Sequence, residues 1–161
     1  MRLGFALLFV SAVWGGSPPR HAVLVPGSSL AGIRLGDTPA AVRAHLGSGY
    51  RTCTRCGERT WYYMSERSSG EPFGLGVSFR AGRASAIFTL GAPSGWRTPM
   101  GLRLGDSVEH VYALYHGLSL SACIGYVALS MRRVGSVTSI YATGDSVYGF
   151  ALTRPMESVC R

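Results

Sequence analysis

The chain contains no lysine. All sixteen of its basic residues are arginine, set against eight acids, for a formal net charge of +8 in 161 residues. An all-arginine complement can follow from the coding composition of a genome as readily as from function, so it selects no partner by itself. The arginines are scattered from Arg20 to Arg161, and Arg132-Arg133 is the only adjacent pair. Nucleic-acid binders gather basic charge on one face or element, so scatter speaks against nucleic acid. It leaves a general, salt-screened attraction to acidic surfaces. Charged residues make up 15% and hydrophobic residues 47%, which excludes a disordered chain. Beyond residue 14 there is no apolar run approaching the twenty or so residues that span a bilayer, so no stable membrane span is expected once the first segment is removed. Gly-x-Ser-x-Gly, His-Glu-x-x-His and a glycine-rich phosphate loop are all missing. Neither a cofactor nor a metal is expected.

What is present begins with an address. Met1-Arg2 is a positive start, residues 3–14 are apolar except for Gly4 and Ser11, and Gly15, Gly16, Ser17 and Pro18-Pro19 follow. That three-part pattern is a secretory signal peptide, assigned to residues 1–15, with a flexible segment over 16–29. Removing Arg2 leaves fifteen Arg and eight acids, a mature charge of +7. The protein is expected to be secreted or to sit in the periplasm or on the outside of the cell envelope, as a monomer.

The four cysteines, Cys53, Cys56, Cys123 and Cys160, all lie in the mature part. An even count in an exported chain reads as disulfides. We expect Cys53–Cys56 and Cys123–Cys160, one bridge per half, the second holding down a C-terminus that would otherwise fray. The competing reading of Cys53-Thr54-Arg55-Cys56 is a redox or zinc site. A redox pair needs its first thiol at a helix N-terminus, but Arg59-Thr60-Trp61-Tyr62-Tyr63 downstream reads as a strand. Zinc needs a second ligand pair, and the sequence has none.

Two stretches 69 residues apart match. Gly32-Ile33-Arg34-Leu35-Gly36-Asp37-Thr38-Pro39 aligns with Gly101-Leu102-Arg103-Leu104-Gly105-Asp106-Ser107-Val108, and a Val and an Ala recur in register beyond. Each copy reads as a turn, an N-cap at Thr38 or Ser107, and a helix of about nine residues stopped by Gly47 or Gly117. Val42 and Leu46 share one helix face; Val108, Val111 and Tyr115 share the other helix's face. Strands follow over 61–64, 73–80 and 84–90 in the first copy. In the second they run over 125–131, 137–142 and 147–153; in the first, Ala81-Gly82-Arg83 between 73–80 and 84–90 is a hairpin signal. The fold class is α+β: two tandem repeats, residues 30–92 and 96–161, each a short helix packed on an antiparallel β-sheet.

The string Gly-[Ile/Leu]-Arg-Leu-Gly-Asp-[Thr/Ser]-x-x-x-Val, followed by a helix and an antiparallel sheet, resembles the module of the β-lactamase-inhibitor-protein and outer-membrane assembly lipoprotein (SmpA/OmlA-like) superfamily. The resemblance covers residues 32–90 and 101–153. It implies tandem modules whose sheets form one concave surface for binding a protein.

Candidate site residues are therefore sought among surface aromatics and arginines, which protein interfaces favour. Trp61, Tyr62 and Tyr63 are consecutive, so a strand sends them to alternate faces. Tyr126, Tyr141 and Tyr148 lie on second-copy strands, and Arg132 and Arg133 stand beside them. The plainer alternative is that these aromatics line the core. His21 falls in the flexible N-terminal segment, His45, His110 and His116 on or beside the helices read as solvated or capping residues, and Asp37 and Asp106 as acids stabilised by a helix N-terminus. The leading expectation is a non-enzymatic exported protein that binds an unknown protein or envelope partner in an inhibitor-like manner. The alternatives are an enzyme with a site near Asp37/Asp106 or Cys53/Cys56, and a structural envelope component.

Overall fold

A computed structural model describes residues 18–53, 59–66, 70 and 72–161. The proposed signal peptide, Cys56 and most of the polar loop between the strands expected over 61–64 and 73–80 lie outside the described residues. Among those described are twelve strands and two short helices: β1 Ala22–Val25, β2 Ser29–Leu30, β3 Ile33–Arg34, α1 Pro39–Leu46, β4 Arg51–Thr52, β5 Arg59–Glu66, β6 Pro72–Arg80, β7 Arg83–Leu90, β8 Trp96–Arg97, α2 Val108–Leu114, β9 Ser119–Cys123, β10 Tyr126–Arg133, β11 Ser136–Thr143 and β12 Ser146–Thr153. The class is α+β, dominated by sheet.

Eight strands form one antiparallel sheet in the order β4-β5-β6-β7-β12-β11-β10-β9. The last strand of each half meets the other at the centre. A smaller sheet has the order β3-β2-β1-β8, with β1 and β8 parallel. Within residues 16–29, expected to be flexible, Ala22–Val25 forms β1: Ala22 and Leu24 are buried while Val23 and Val25 face out. This period-two alternation is the mark of a strand with one side on the core.

The matched strings have a physical meaning that the structure makes explicit. Gly36 and Gly105 adopt φ of 93° and 95°, a region open to glycine and strained for other residues. The next residue closes the turn with its side chain: Asp37 Oδ2 accepts from Arg34 N at 2.8 Å, and Asp106 Oδ2 from Arg103 N at 2.8 Å. The turn then docks on the sheet. Gly36 N donates to Ala84 O and Ala84 N to Asp37 O; Gly105 N donates to Val147 O and Val147 N to Asp106 O. Thr38 Oγ1 and Ser107 Oγ cap the helices, accepting at 3.2 Å from Ala41 N and His110 N. Pro39 opens α1, where its missing N–H costs nothing.

Helix α1 ends at Gly47 (φ 84°), as expected. Helix α2 ends earlier than Gly117: its C-cap is Tyr115, in extended conformation and buried. Burying that ring beyond the helix outweighs another helical turn. The helices are eight and seven residues long, too short to persist without packing. Each sends one fully buried side chain, Val42 or Val111, onto the inner face of the large sheet. There they join Trp61, Leu75, Ile87, Leu129, Ile140 and Phe150, along with Leu24, Leu30 and Trp96 of the small sheet.

The hairpin between β6 and β7 turns through Ala81 and Gly82, both at positive φ (48° and 70°). Two-residue hairpins favour this because its twist matches that of the strands, but alanine is a poor occupant of left-handed space. We expect Ala81→Asn to raise unfolding free energy by about 0.5–1 kcal/mol, read from urea denaturation midpoints. An unchanged or lower midpoint would refute a left-handed Ala81.

Candidate functional site

Alternation along the strands decides which candidates can meet a partner. Trp61 and Tyr63 point inward and are fully buried. Trp61 stacks on Tyr50 at 3.9 Å and meets the edge of Phe79 at 4.7 Å, with the Arg43 and Arg59 guanidiniums over it. Tyr63 donates its hydroxyl to Gly47 O, tying β5 to the end of α1. Burial takes both out of any contact surface. Tyr62, between them, faces outward, half-buried and edge-on to Phe88 at 6.4 Å.

The outer face of the large sheet is apolar too. Ala86, Phe88, Ala128, Tyr141 and Ala151 are buried there, with Tyr62, Leu90, Tyr126 and Tyr148 packed around them. Two glycines make room for the rings. A Cβ on Gly76 would run into the Phe88 ring, and one on Gly149 into Thr89 Oγ1, with Tyr141 Cδ2 at 3.2 Å. Tyr126, Tyr141 and Tyr148 form one cluster, with ring centres 5.2–6.0 Å apart. The structure thus brings together the three second-half tyrosines.

A segment of the chain itself lies over this cluster. Residues 154–161 leave β12 and cross the outer face. Tyr141 donates its hydroxyl to Val159 O at 2.8 Å. Tyr126 Oη donates to Arg161 O at 2.7 Å and accepts from Arg161 N. The Arg161 guanidinium sits 5.6 Å from the centre of the Phe88 ring. The Cys123–Cys160 disulfide, with a Cα separation of 5.5 Å, bolts the segment to edge strand β9. Glu157, only 8% exposed, anchors the other end between Arg80 at 3.2 Å and Arg161 at 3.3 Å. Sequence reasoning anticipated the disulfide but not the strap. The available signal was Glu157, a lone acid between a strand and the last cysteine of an arginine-rich chain. Cys53 is disulfide-bonded; its expected partner Cys56 lies outside the described residues.

Arg132 and Arg133 are exposed and, being consecutive on β10, point to opposite faces. The Arg133 chain runs against Gly27, whose Cβ position is 2.7 Å from Arg133 Cδ; Arg132 is the one that shares the tyrosines' side. Asp37 and Asp106 are not brought together as a pair. Each carboxylate serves its own turn, and Asp106 also meets His110 Nδ1 at 3.2 Å. His45 Nε2 lies 3.0 Å from Ala31 O. Among the described residues, no three His, Cys, Asp or Glu side chains come together as metal ligands, and no helix is long and apolar enough to cross a membrane.

Burial also moves the tyrosine hydroxyls. Tyr63 is pushed up to about 12, mainly by burial, with Tyr50 adding and Arg43 opposing. Tyr148 is pushed up to about 12 by burial and then Tyr126. Tyr141 is raised further, first by burial and then by Tyr126, against the Arg161 charge.

No protein-family model matches this chain, and neither a curated protein nor a solved structure is found to be similar to it.

The strap and the buried tyrosines are open to separate tests. Cys160→Ser should cost about 3–4 kcal/mol of stability on the loop-entropy model for a bridge 37 residues apart, and should open the Tyr141 ring to solvent quenchers. Unaltered Tyr141 protection would show that the strap holds without its disulfide. With pH, the folded chain keeps the Tyr63 and Tyr148 protons where the unfolded chain, titrating near 10, gives them up. Their contribution to stability is therefore complete below pH 10 and is lost as pH rises from about 10 to about 12. Phenolate absorbance should show a late-titrating tyrosine population in the native protein. A single transition near pH 10 in both native and denatured samples would contradict the burial assignment.

Proposed function

We propose that the chain is an exported binding protein without catalytic activity, built from two copies of one helix-then-sheet unit, and that the outer face of its eight-stranded sheet meets a protein partner. The reading rests on one observation: Tyr62, Tyr126 and Tyr148 stand half-exposed on an otherwise buried apolar face. Half-exposed tyrosines on an apolar floor are what interface centres use. Exposed Arg132 lies on the same side of the sheet, and arginine is favoured there as well. The paired Gly-Asp turns support the two-copy reading, since both make the same side-chain and sheet hydrogen bonds. The Cys123–Cys160 disulfide is compatible with an extracellular or periplasmic location. The likeness to the β-lactamase-inhibitor-protein and outer-membrane assembly lipoprotein modules enters as part of the same proposal.

The strap narrows the surface. Tyr141 lies beneath residues 154–161 and the Tyr126 hydroxyl is held by Arg161, so contact falls to Tyr62, Leu90, Tyr148 and the rim. Against an enzyme, Asp37 and Asp106 each already accept a backbone N–H.

The test is capture on immobilised, oxidised protein beginning at Gly16, from the producer's culture fluid and envelope extract, at low and high salt. One partner retained in high salt and weakened at least thirtyfold by Tyr148→Ala is expected for an interface anchor. Equal retention by wild type and by Tyr62→Ala and Tyr148→Ala variants would place the contact elsewhere. Enzymatic turnover abolished by Asp37→Asn or Asp106→Asn would overturn the non-catalytic reading.

A further inference from the structure

On the opposite side of the molecule from the strap's disulfide lies a second feature of different chemistry, where the small sheet carries an electrostatic cost. Arg97 and Arg103 are direct partners in an antiparallel bridge. The flanking bonds are Thr98 N to Leu102 O at 2.8 Å and Leu104 N to Trp96 O at 3.4 Å. That pattern makes the two arginines a non-hydrogen-bonded pair, the kind whose side chains stand closest on one face. Like charges directly opposite each other destabilise a sheet.

Elsewhere the chain compensates for such a pair. Arg80 and Arg83 are also direct partners, but Arg80 reaches Glu157 and Arg83 donates to Gly36 O. In the matching hairpin of the first half, Arg34 faces Ser29 rather than an arginine. Arg97 and Arg103 have no ion pair among the described residues. The nearest acid in sequence, Asp106, is committed to Arg103 N and His110 Nδ1.

Both arginines line a cavity of about 510 Å³ together with His21, Val23, Trp96 and Leu104, and among the described residues no carboxylate lines it. Its size falls within the range of small-molecule sites. The His21 ring is pressed on Gly95, where a Cβ would collide with its Nδ1. Trp96 is fixed by donating Nε1–H to Pro19 O at 3.1 Å. The walls are therefore built before any ligand arrives. Val23 is 36% exposed and offers an apolar surface beside the charges.

We propose that this cavity binds a small organic oxyanion, a phosphate or sulfate ester, gripped between the Arg97 and Arg103 guanidiniums with its organic body on Val23 and Leu104. Guanidinium forks match the paired oxygens of such groups, and the ligand's charge removes the repulsion across the bridge. The site is independent of the outer-face reading.

The test is amide NMR titration of the oxidised protein with phenyl phosphate at fixed ionic strength, with inorganic phosphate and phenol for comparison. Saturable shifts are expected at Val23, Trp96, Arg97, Arg103 and Leu104, strongest with phenyl phosphate and missing with phenol. Flotation with phosphatidic acid vesicles separates two sources of the same chemistry: binding lost in Arg97→Glu assigns a lipid headgroup, and phenyl phosphate binding without flotation assigns a free ester. Arg97→Glu puts a carboxylate opposite Arg103. It should lower phenyl phosphate affinity at least tenfold while raising the melting temperature by about 1–3 °C, an outcome that misfolding cannot mimic. Arg103→Gln should lower affinity comparably, and Arg51→Gln should leave it unchanged. Shifts spread over all exposed arginines, no binding of any probe, or full affinity in both Arg97→Glu and Arg103→Gln would overturn the proposal.

Discussion

Three residue pairs, Ala86–Thr153, Ile87–Leu152 and Phe88–Ala151, join strands β7 and β12 and turn two four-stranded halves into one sheet. Arg154 N to Ser85 O at 2.9 Å extends the seam at one end, and Phe150 N to Thr89 Oγ1 at 2.9 Å extends it at the other. Without this junction each half would present an unpaired central strand, an open template for other chains. With it, Ile87 and Leu152 face inward while Phe88 and Ala151 face outward. The join therefore makes a sheet that is apolar on both sides, and the rest of the molecule covers those sides.

The two covers differ in kind. The inner face is covered by α1, α2 and the small sheet, which contribute to one continuous cluster. Both helices are too short to hold by themselves, so the Gly-Asp turns stitch them to Ala84 and Val147, the second residues of β7 and β12. The outer face has no helix among the described residues. It is closed by residues 154–161, which lack regular structure and so need specific ties: a disulfide, two tyrosine hydroxyls and Glu157 between two arginines. A buried carboxylate is stabilising only when its partners are present, and here Arg80 and Arg161 both are.

The parts of this arrangement that are local were legible in the sequence. The caps at Thr38 and Ser107, the stop at Gly47, the strand pairs around Ala81-Gly82 and the Cys123–Cys160 bridge all depend on residues within a turn or on cysteine count. What was not legible depends on pairings distant in sequence. β1 and β8 are four and two residues long and exist because each completes the other, 70 or more residues apart. Tyr115 ends α2 because the core takes its ring, a tertiary demand that overrides a downstream glycine. Among the candidate aromatics, alternation correctly separated Tyr62 from Trp61 and Tyr63. It could not assign faces on β12, where the bulge opposite Tyr141/Ala142 shifts the period by one and turns Tyr148 to the tyrosine cluster.

In this arginine-rich chain the described aspartates are committed to backbone N–H groups. Of the acids whose side chains are described, Asp37 and Asp106 accept backbone N–H groups in turns, Asp145 accepts from Val108 N at 3.2 Å, and Glu157 secures the strap. Glu109 sits in the first turn of α2, where the helix end favours it. Among the described residues, Glu157 is the acid that pairs with arginine side chains, Arg80 and Arg161. The net positive charge spread over the surface is screened by salt. At Arg97 and Arg103 the bridge sets two arginines directly opposite each other, and among the described residues no carboxylate lines the adjoining cavity.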